Sequence, residues 1–163
     1  MATFADLDEL YNIELSAFPQ NRQASREVLA DRMKLFGKGF FVLLVDGKIV
    51  AFSTALLLSN ANSLEAIDKT DKEVNSQNGK IYYLRSLAVG KENQSKGYGK
   101  LLIAHHLKNA KKMKSERVVF TCVPEVEEYY VRLGFTRLTD FKPFHGNSEA
   151  LWEVPKSIYA KTH

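Results

Sequence analysis

A six-residue turn, Gln94-Ser95-Lys96-Gly97-Tyr98-Gly99, separates a β-branched and aromatic run at Ile81–Val89 from a stretch at Lys100–Met113 with helical periodicity. A strand that passes through a glycine-rich turn into a helix is a building block of mixed α/β folds. The glycines let the backbone approach a ligand closely. The unpaired amides at the helix start, roughly Gly97 through Leu101, would point at an anion with the helix dipole behind them, as suits a pyrophosphate. The segment is not the dinucleotide-binding G-x-G-x-x-G, because Leu102 stands at the third glycine position. Nor is it a P-loop, because no Gly-Lys-Ser/Thr follows at the required spacing. On the motif alone, an ordinary tight strand-to-helix turn stays open.

The segments on either side extend the pattern. Asp6-Leu7-Asp8-Glu9 reads as a capping box that opens a helix running to about Phe18. Leu7, Leu10, Tyr11, Glu14 and Phe18 recur at 3.6-residue spacing, which puts the Glu14 carboxylate on an inward face. Pro19 ends this helix, Asn21 to Ala24 is a loop, and Ser25 caps a second helix with Leu29, Met33 and Phe36 facing the core. Phe40 to Val45 reads as a buried strand, Asp46-Gly47 as a two-residue hairpin turn and Lys48 to Leu58 as the partner strand. Ser59 to Gly79 is a polar excursion with one short helix near Asn62 and Glu65. Beyond the turn, Ile103, His106, Leu107, Ala110 and Met113 share one helix face and lysines the other. Arg117 to Val123 is a strand, Pro124 opens a short helix that Gly134 closes, and Phe135 to Phe141 and Ala150 to Val154 complete the strands. This order implies one α/β domain over residues 1–163, a mixed sheet with helices on both faces.

Composition narrows the function. An apolar share of 45% with 9 Gly and 4 Pro suits a packed globule. No apolar run approaches the roughly 18 residues that span a bilayer, and Asp6, Asp8 and Glu9 stand where a signal peptide would be basic, so a cytoplasmic protein with no membrane partner is expected. A single cysteine, Cys122, offers no internal disulfide and no cysteine-built metal site, and no histidines pair at helical ligand spacing; no metal is expected. The basic charge is local: Lys91 to Arg117 holds eight basic residues against two acidic ones. Such a surface suits a small polyanion at least as well as DNA, and it lacks the aromatic interleaving of single-strand binders, so no nucleic-acid partner is expected.

At these residues the chain resembles the GNAT superfamily of N-acetyltransferases, whose pyrophosphate loop is Q/R-x-x-G-x-G/A and is matched in full by Gln94 to Gly99. The likeness extends to Leu84-Arg85-Ser86-Leu87-Ala88-Val89 upstream and to Tyr129-Tyr130-Val131-Arg132-Leu133-Gly134-Phe135 downstream, in the family's order and spacing. Ala17-Phe18-Pro19, Gly39-Phe40-Phe41, the strand ending at Cys122 and Glu128-Tyr129-Tyr130 are most similar to the arylalkylamine N-acetyltransferase branch and its bacterial relatives. The resemblance implies a central, mostly antiparallel sheet splayed at the cofactor site and acetyl-CoA as the acyl donor. It implies that amides around Gly97, Tyr98, Gly99, Lys100 and Leu101 hold the pyrophosphate, with Gln94, Ser95 and Lys96 shaping the approach. The backbone of Leu87, Ala88 and Val89 would pair with the pantetheine arm, and Tyr130 would be the general acid for the leaving thiolate.

The departures shape the expected chemistry. Tyr83 and Arg85 stand where the animal arylalkylamine enzymes carry a histidine relay, and being two apart they share a strand face that borders the acceptor. The Arg85 guanidinium argues against a polycation and mildly favours an amine bearing an anion, with a salt bridge to an acidic neighbour as the other reading. Water or Glu14 would take the amine's proton. His105 and His106 are read as structural, and Cys122 has no adjoining histidine to make it a nucleophile. The expected reaction is direct attack of a small primary amine, with a homodimer compatible with it. Alternatives are amino-acid or protein N-acetylation and a non-catalytic acyl-CoA sensor, which would need no Tyr130.

Overall fold

The computed structural model describes residues 2–160 of the 163-residue protein. Its sheet has seven strands in the order β1-β2-β3-β4-β7-β5, with β6 paired to β7 off this path. The strands are β1 (Phe40–Val45), β2 (Lys48–Leu58), β3 (Ile81–Val89), β4 (Arg117–Cys122), β5 (Thr136–Arg137), β6 (Lys142–Phe144) and β7 (Asn147–Glu153). The helices are α1 (Leu7–Ala17), α2 (Arg26–Phe36), α3 (Leu64–Ile67), α4 (Asp71–Val74), α5 (Tyr98–Lys112), α6 (Glu127–Arg132) and α7 (Lys156–Tyr159). The sheet is mostly antiparallel; β3 and β4 run parallel. Among the described residues no helix is long and apolar enough to cross a membrane.

The chain forms two compact units. The first takes residues up to Ala55 together with Ser86–His106, the second Leu56–Arg85 together with residues from Leu107 onward. The division runs through β2, β3 and α5, not through a linker.

In the first unit, α1 and α2 pack on one face of the β1–β2 hairpin and α5 on the other. Leu10, Leu29 and Phe52, all fully buried, join Phe40, Ile49 and Ala88 in one core, while Val50 and Ala51 meet Leu102 in the other. Each fully buried Leu or Phe contributes about 1.5–3 kcal/mol. Because β1 lies at the sheet edge it is only half-buried, with Leu44 exposed, and β2 is the buried strand expected at β1. Asp46 (φ 50°) and Gly47 (φ 77°) make the hairpin turn with both central residues left-handed.

The capping box lies one turn earlier than expected. Asp6 is already in helical conformation, and its carboxylate accepts the Thr3 amide (2.7 Å) and hydroxyl (3.0 Å). Glu9 accepts the Ile49 amide at 3.2 Å instead, fastening α1 to β2. Gln20–Arg22 forms a short 3-10 turn within the expected loop, and Ser25 caps α2 through the Val28 amide at 3.3 Å.

In the second unit, β4 pairs with β3 from Ile81↔Arg117 to Leu84↔Phe120 and with β7 from Val119↔Glu153 to Cys122↔Ala150. The expected strand over Phe135–Phe141 shrinks to Thr136–Arg137. Past it, the Leu138 amide donates to the Leu151 carbonyl (2.8 Å) and the Thr139 hydroxyl accepts the Leu151 amide (3.0 Å), so a side chain replaces the ladder. The Ser59–Gly79 excursion holds two helical turns, α3 capped by Ser63 and α4 opened by a Thr70–Glu73 capping box. The short β6 and α7 carry no periodicity long enough to read from sequence.

Candidate active site

The turn after β3 ends in a helix start suited to an anion. Gly97 adopts φ 84°, and its carbonyl accepts the Leu101 amide at 3.2 Å, which makes it the cap of α5. The run of free amides expected to reach Leu101 therefore ends at Lys100. The Tyr98, Gly99 and Lys100 amides have no partner among the described residues, and the first turn carries no acidic side chain. A side chain added at Gly97 would meet nothing within 4 Å, so the space at that carbon is open. Ser95 is also left-handed (φ 63°). Gln94 Nε2 donates to the Val89 carbonyl at 3.2 Å, and Lys96 Nζ to Asn93 Oδ1 at 3.1 Å, so both side chains brace the turn. Lys100, in the first turn of α5, is exposed.

Leu87, Ala88 and Val89 lead into this turn. Ala88 belongs to the core under α1 and α2, and Leu87 and Val89 pack against the cluster of Val50, Ala51 and Leu102. The Gly90 amide donates to the Val50 carbonyl at 3.0 Å, closing the strand. Also in the first unit, Glu14 is buried, and its Oε1 accepts the Ala24 amide at 2.7 Å. That bond ties the segment after Pro19 to α1.

His106 is fully buried. Its Nε2 lies 2.6 Å from Ser53 Oγ, and its ring packs edge-on against Phe41 at 4.8 Å. Burial, with the neighbouring His105, pushes it down to about 3, so it is a neutral structural side chain at ordinary pH.

The second unit holds Tyr83, Arg85 and Tyr130. The Tyr130 ring packs with Phe120 (4.5 Å), Tyr129 (5.2 Å), Phe135 (6.1 Å) and Trp152 (6.3 Å). Burial, then Cys122 and Tyr129, raise its hydroxyl above the usual tyrosine value, which keeps it protonated across the neutral range. Among the described residues its hydroxyl has no hydrogen-bond partner. Cys122 is buried, and burial, then Glu127 and Glu149, push its thiol up to about 12. A thiol held that high supplies no thiolate nucleophile near neutrality.

Tyr83 is buried and its hydroxyl lies 3.4 Å from Thr121 Oγ1. Arg85 Nε donates to Asp71 Oδ1 at 2.8 Å, with both side chains largely buried. Arg85 is thus held by α4, and the salt-bridge reading of this residue is the one the structure contains. Sequence reasoning missed Asp71, Thr121 and Glu149. Asp71 sits in an aperiodic excursion, and the other two look like ordinary strand residues.

The profile of the Acetyltransferase (GNAT) family matches residues 7–135. Among solved structures, the loading GNATL domain of CurA from Lyngbya majuscula is 15% identical, with 96% of each chain covered and a TM-score of 0.83. The GphF GNAT-like decarboxylase in complex with isobutyryl-CoA is 21% identical over 93% of this chain and 95% of that one, with a TM-score of 0.76. The ribosomal-protein-S18-alanine N-acetyltransferase from Escherichia coli is 18% identical over 94% of this chain and 90% of that one, with a TM-score of 0.66. At these identities the likeness is one of fold. No curated protein sequence matches the chain.

Proposed function

The chain belongs to the acetyltransferase (GNAT) family, and on that premise we propose that it transfers an acetyl group from acetyl-CoA to a small primary amine by direct attack. The observation that carries the reading is the start of α5. Three amides without a partner among the described residues, Tyr98 to Lys100, with open space at the Gly97 carbon and an exposed Lys100 side chain, would cradle a pyrophosphate. The donor's thioester supplies an activated acetyl group. Leu87, Ala88 and Val89 would line its pantetheine arm with backbone, and an amide there would polarise the thioester carbonyl.

Tyr130 donates its proton to the departing sulfur. A hydroxyl raised by burial and without a hydrogen-bond partner among the described residues is both loaded and available. The amine nitrogen loses its proton to water before attack. Glu14 is occupied with the Ala24 amide and acts as a fastening of the loop. The buried, high-pKa thiol of Cys122 favours direct transfer over an acyl-enzyme.

A thiol-release assay tests the reading. Acetyl-CoA and isobutyryl-CoA would be offered with phenethylamine, phenylalanine and a lysine peptide, and N-acetyl products identified by mass. The expected result is amine-dependent thiol release from acetyl-CoA, greatest with a small amine. Release that no amine accelerates contradicts it.

A further inference from the structure

Glu149 is a half-buried carboxylate on β7 with no hydrogen bond or ion pair among the described residues. Its surroundings lie within the second unit. Thr121 of β4 pairs with Leu151 of β7, and residues opposed in an antiparallel pair project to one face, so Glu149, two residues from Leu151, shares the face of Thr121. Tyr83 reaches the same face through its 3.4 Å contact with Thr121 Oγ1, and Arg85 is two residues along β3 from Tyr83. The electrostatics agree with this placement. Glu149 raises the Tyr83 hydroxyl, although burial is the larger cause, and it also acts on the Arg85 guanidinium.

Three basic side chains of the second unit have other carboxylate partners. Arg85 is held by Asp71 at 2.8 Å. Lys142, directly across the β6–β7 pair from Glu149, points its ammonium to Glu65 of α3 at 3.8 Å. His145 at the hairpin turn lies 3.7 Å from Asp68. The excursion holding α3 and α4 thus draws the Arg85 and Lys142 side chains towards itself. Glu149 is left without a hydrogen bond or ion pair among the described residues, beside two hydroxyls, Tyr83 and Thr121.

We propose that Glu149 receives the ammonium group of the incoming acceptor, with Tyr83 and Thr121 beside it, so that the preferred acceptor is a cationic amine carrying no carboxylate of its own. This rests on the acyl-transfer reading above and names the substrate class of that reaction. It also reverses the expectation that Arg85 selects an anion-bearing amine, because that guanidinium is already matched by Asp71. Glu149 binds the amine and does not deprotonate it.

The test compares phenethylamine with phenylalanine, which differ by a single carboxylate, in calorimetric binding and in turnover with acetyl-CoA. Wild-type protein should bind phenethylamine about tenfold or more tighter. Glu149→Gln should weaken phenethylamine about tenfold, the worth of one charge-assisted hydrogen bond, while phenylalanine changes little. Glu149→Asp should recover part of the loss. Acetyl-CoA affinity should be unchanged in both variants, which also reports that they fold. In turnover the loss should fall on KM and not on kcat. Equal loss for both probes, no loss in Glu149→Gln, or no phenethylamine binding by the wild type would overturn the proposal. Glu149-dependent binding without any acetyl transfer would uphold the ammonium site and contradict the transfer reading alone.

Discussion

Arg85 and Asp71 form an ion pair, Nε to Oδ1 at 2.8 Å, in which one short helical turn holds the strand residue expected to face the acceptor. Removing its partner should release the guanidinium. Asp71→Asn is expected to cost about 1–3 kcal/mol in denaturant unfolding, below the full penalty of a completely buried pair because both groups keep some exposure. It should also raise the relative kcat/KM for phenylalanine over phenethylamine. Unchanged stability and preference would show that the pair positions nothing.

Tyr130→Phe keeps the ring and its packing on Phe120 and Trp152 but removes the proton. Acetyl-CoA affinity should stay near wild type while the single-turnover rate falls about 10 to 100-fold. The discount from full acid catalysis reflects a thiol leaving group of pKa about 8.5. Because burial raises the hydroxyl, the wild-type rate should show no loss from Tyr130 ionisation below about pH 10. A wild-type rate in Tyr130→Phe would make the residue a packing aromatic and nothing more.

His106 links stability to pH. Burial holds the folded imidazole down at about 3 against 6.5 when exposed, so the unfolded chain binds the proton first. The stability contributed by neutral His106 is complete above about pH 6.5 and is lost as the pH falls from there towards 3. The slope reaches about 1.4 kcal/mol per pH unit for this one proton. Denaturant unfolding between pH 7 and 4 should show that slope in the wild type and a shallower one in His106→Gln. Parallel slopes would mean that His106 is protonated in the folded state.

The parts of the fold with long periodic patterns were legible in the sequence. β1, β2 and β3 begin and end where their β-branched runs do, and the Asp46-Gly47 turn has the left-handed pair that such a dipeptide favours. What escaped was short or decided by tertiary contacts. α4 and β6 are too brief for periodicity, the strand after Phe135 yields to the Thr139 hydroxyl, and the Thr3–Asp6 box captures the cap assigned to Asp6 and Glu9.

The candidate site divides in the same way. The turn at Gln94–Gly99 announces itself because backbone chemistry needs glycine at fixed places. Tyr130 was legible only through its family motif. Asp71 and Glu149 matter through which cations they do or do not engage, and sequence carries no signal for such pairings until the chain has folded.

The central claim is that the start of α5 holds the pyrophosphate of acetyl-CoA, and titration calorimetry of acetyl-CoA into three proteins tests it. Gly97 sits at φ 84° with open space in front of it. Gly97→Ala introduces the backbone strain alone, a cost of about 1–2 kcal/mol in stability, and should bind acetyl-CoA within a few-fold of wild type. Gly97→Glu adds a carboxylate that crowds and repels the pyrophosphate at the helix N-terminus. Wild type and Gly97→Ala binding, with binding lost in a folded Gly97→Glu, is the predicted result; equal acetyl-CoA affinity in all three proteins would contradict the account.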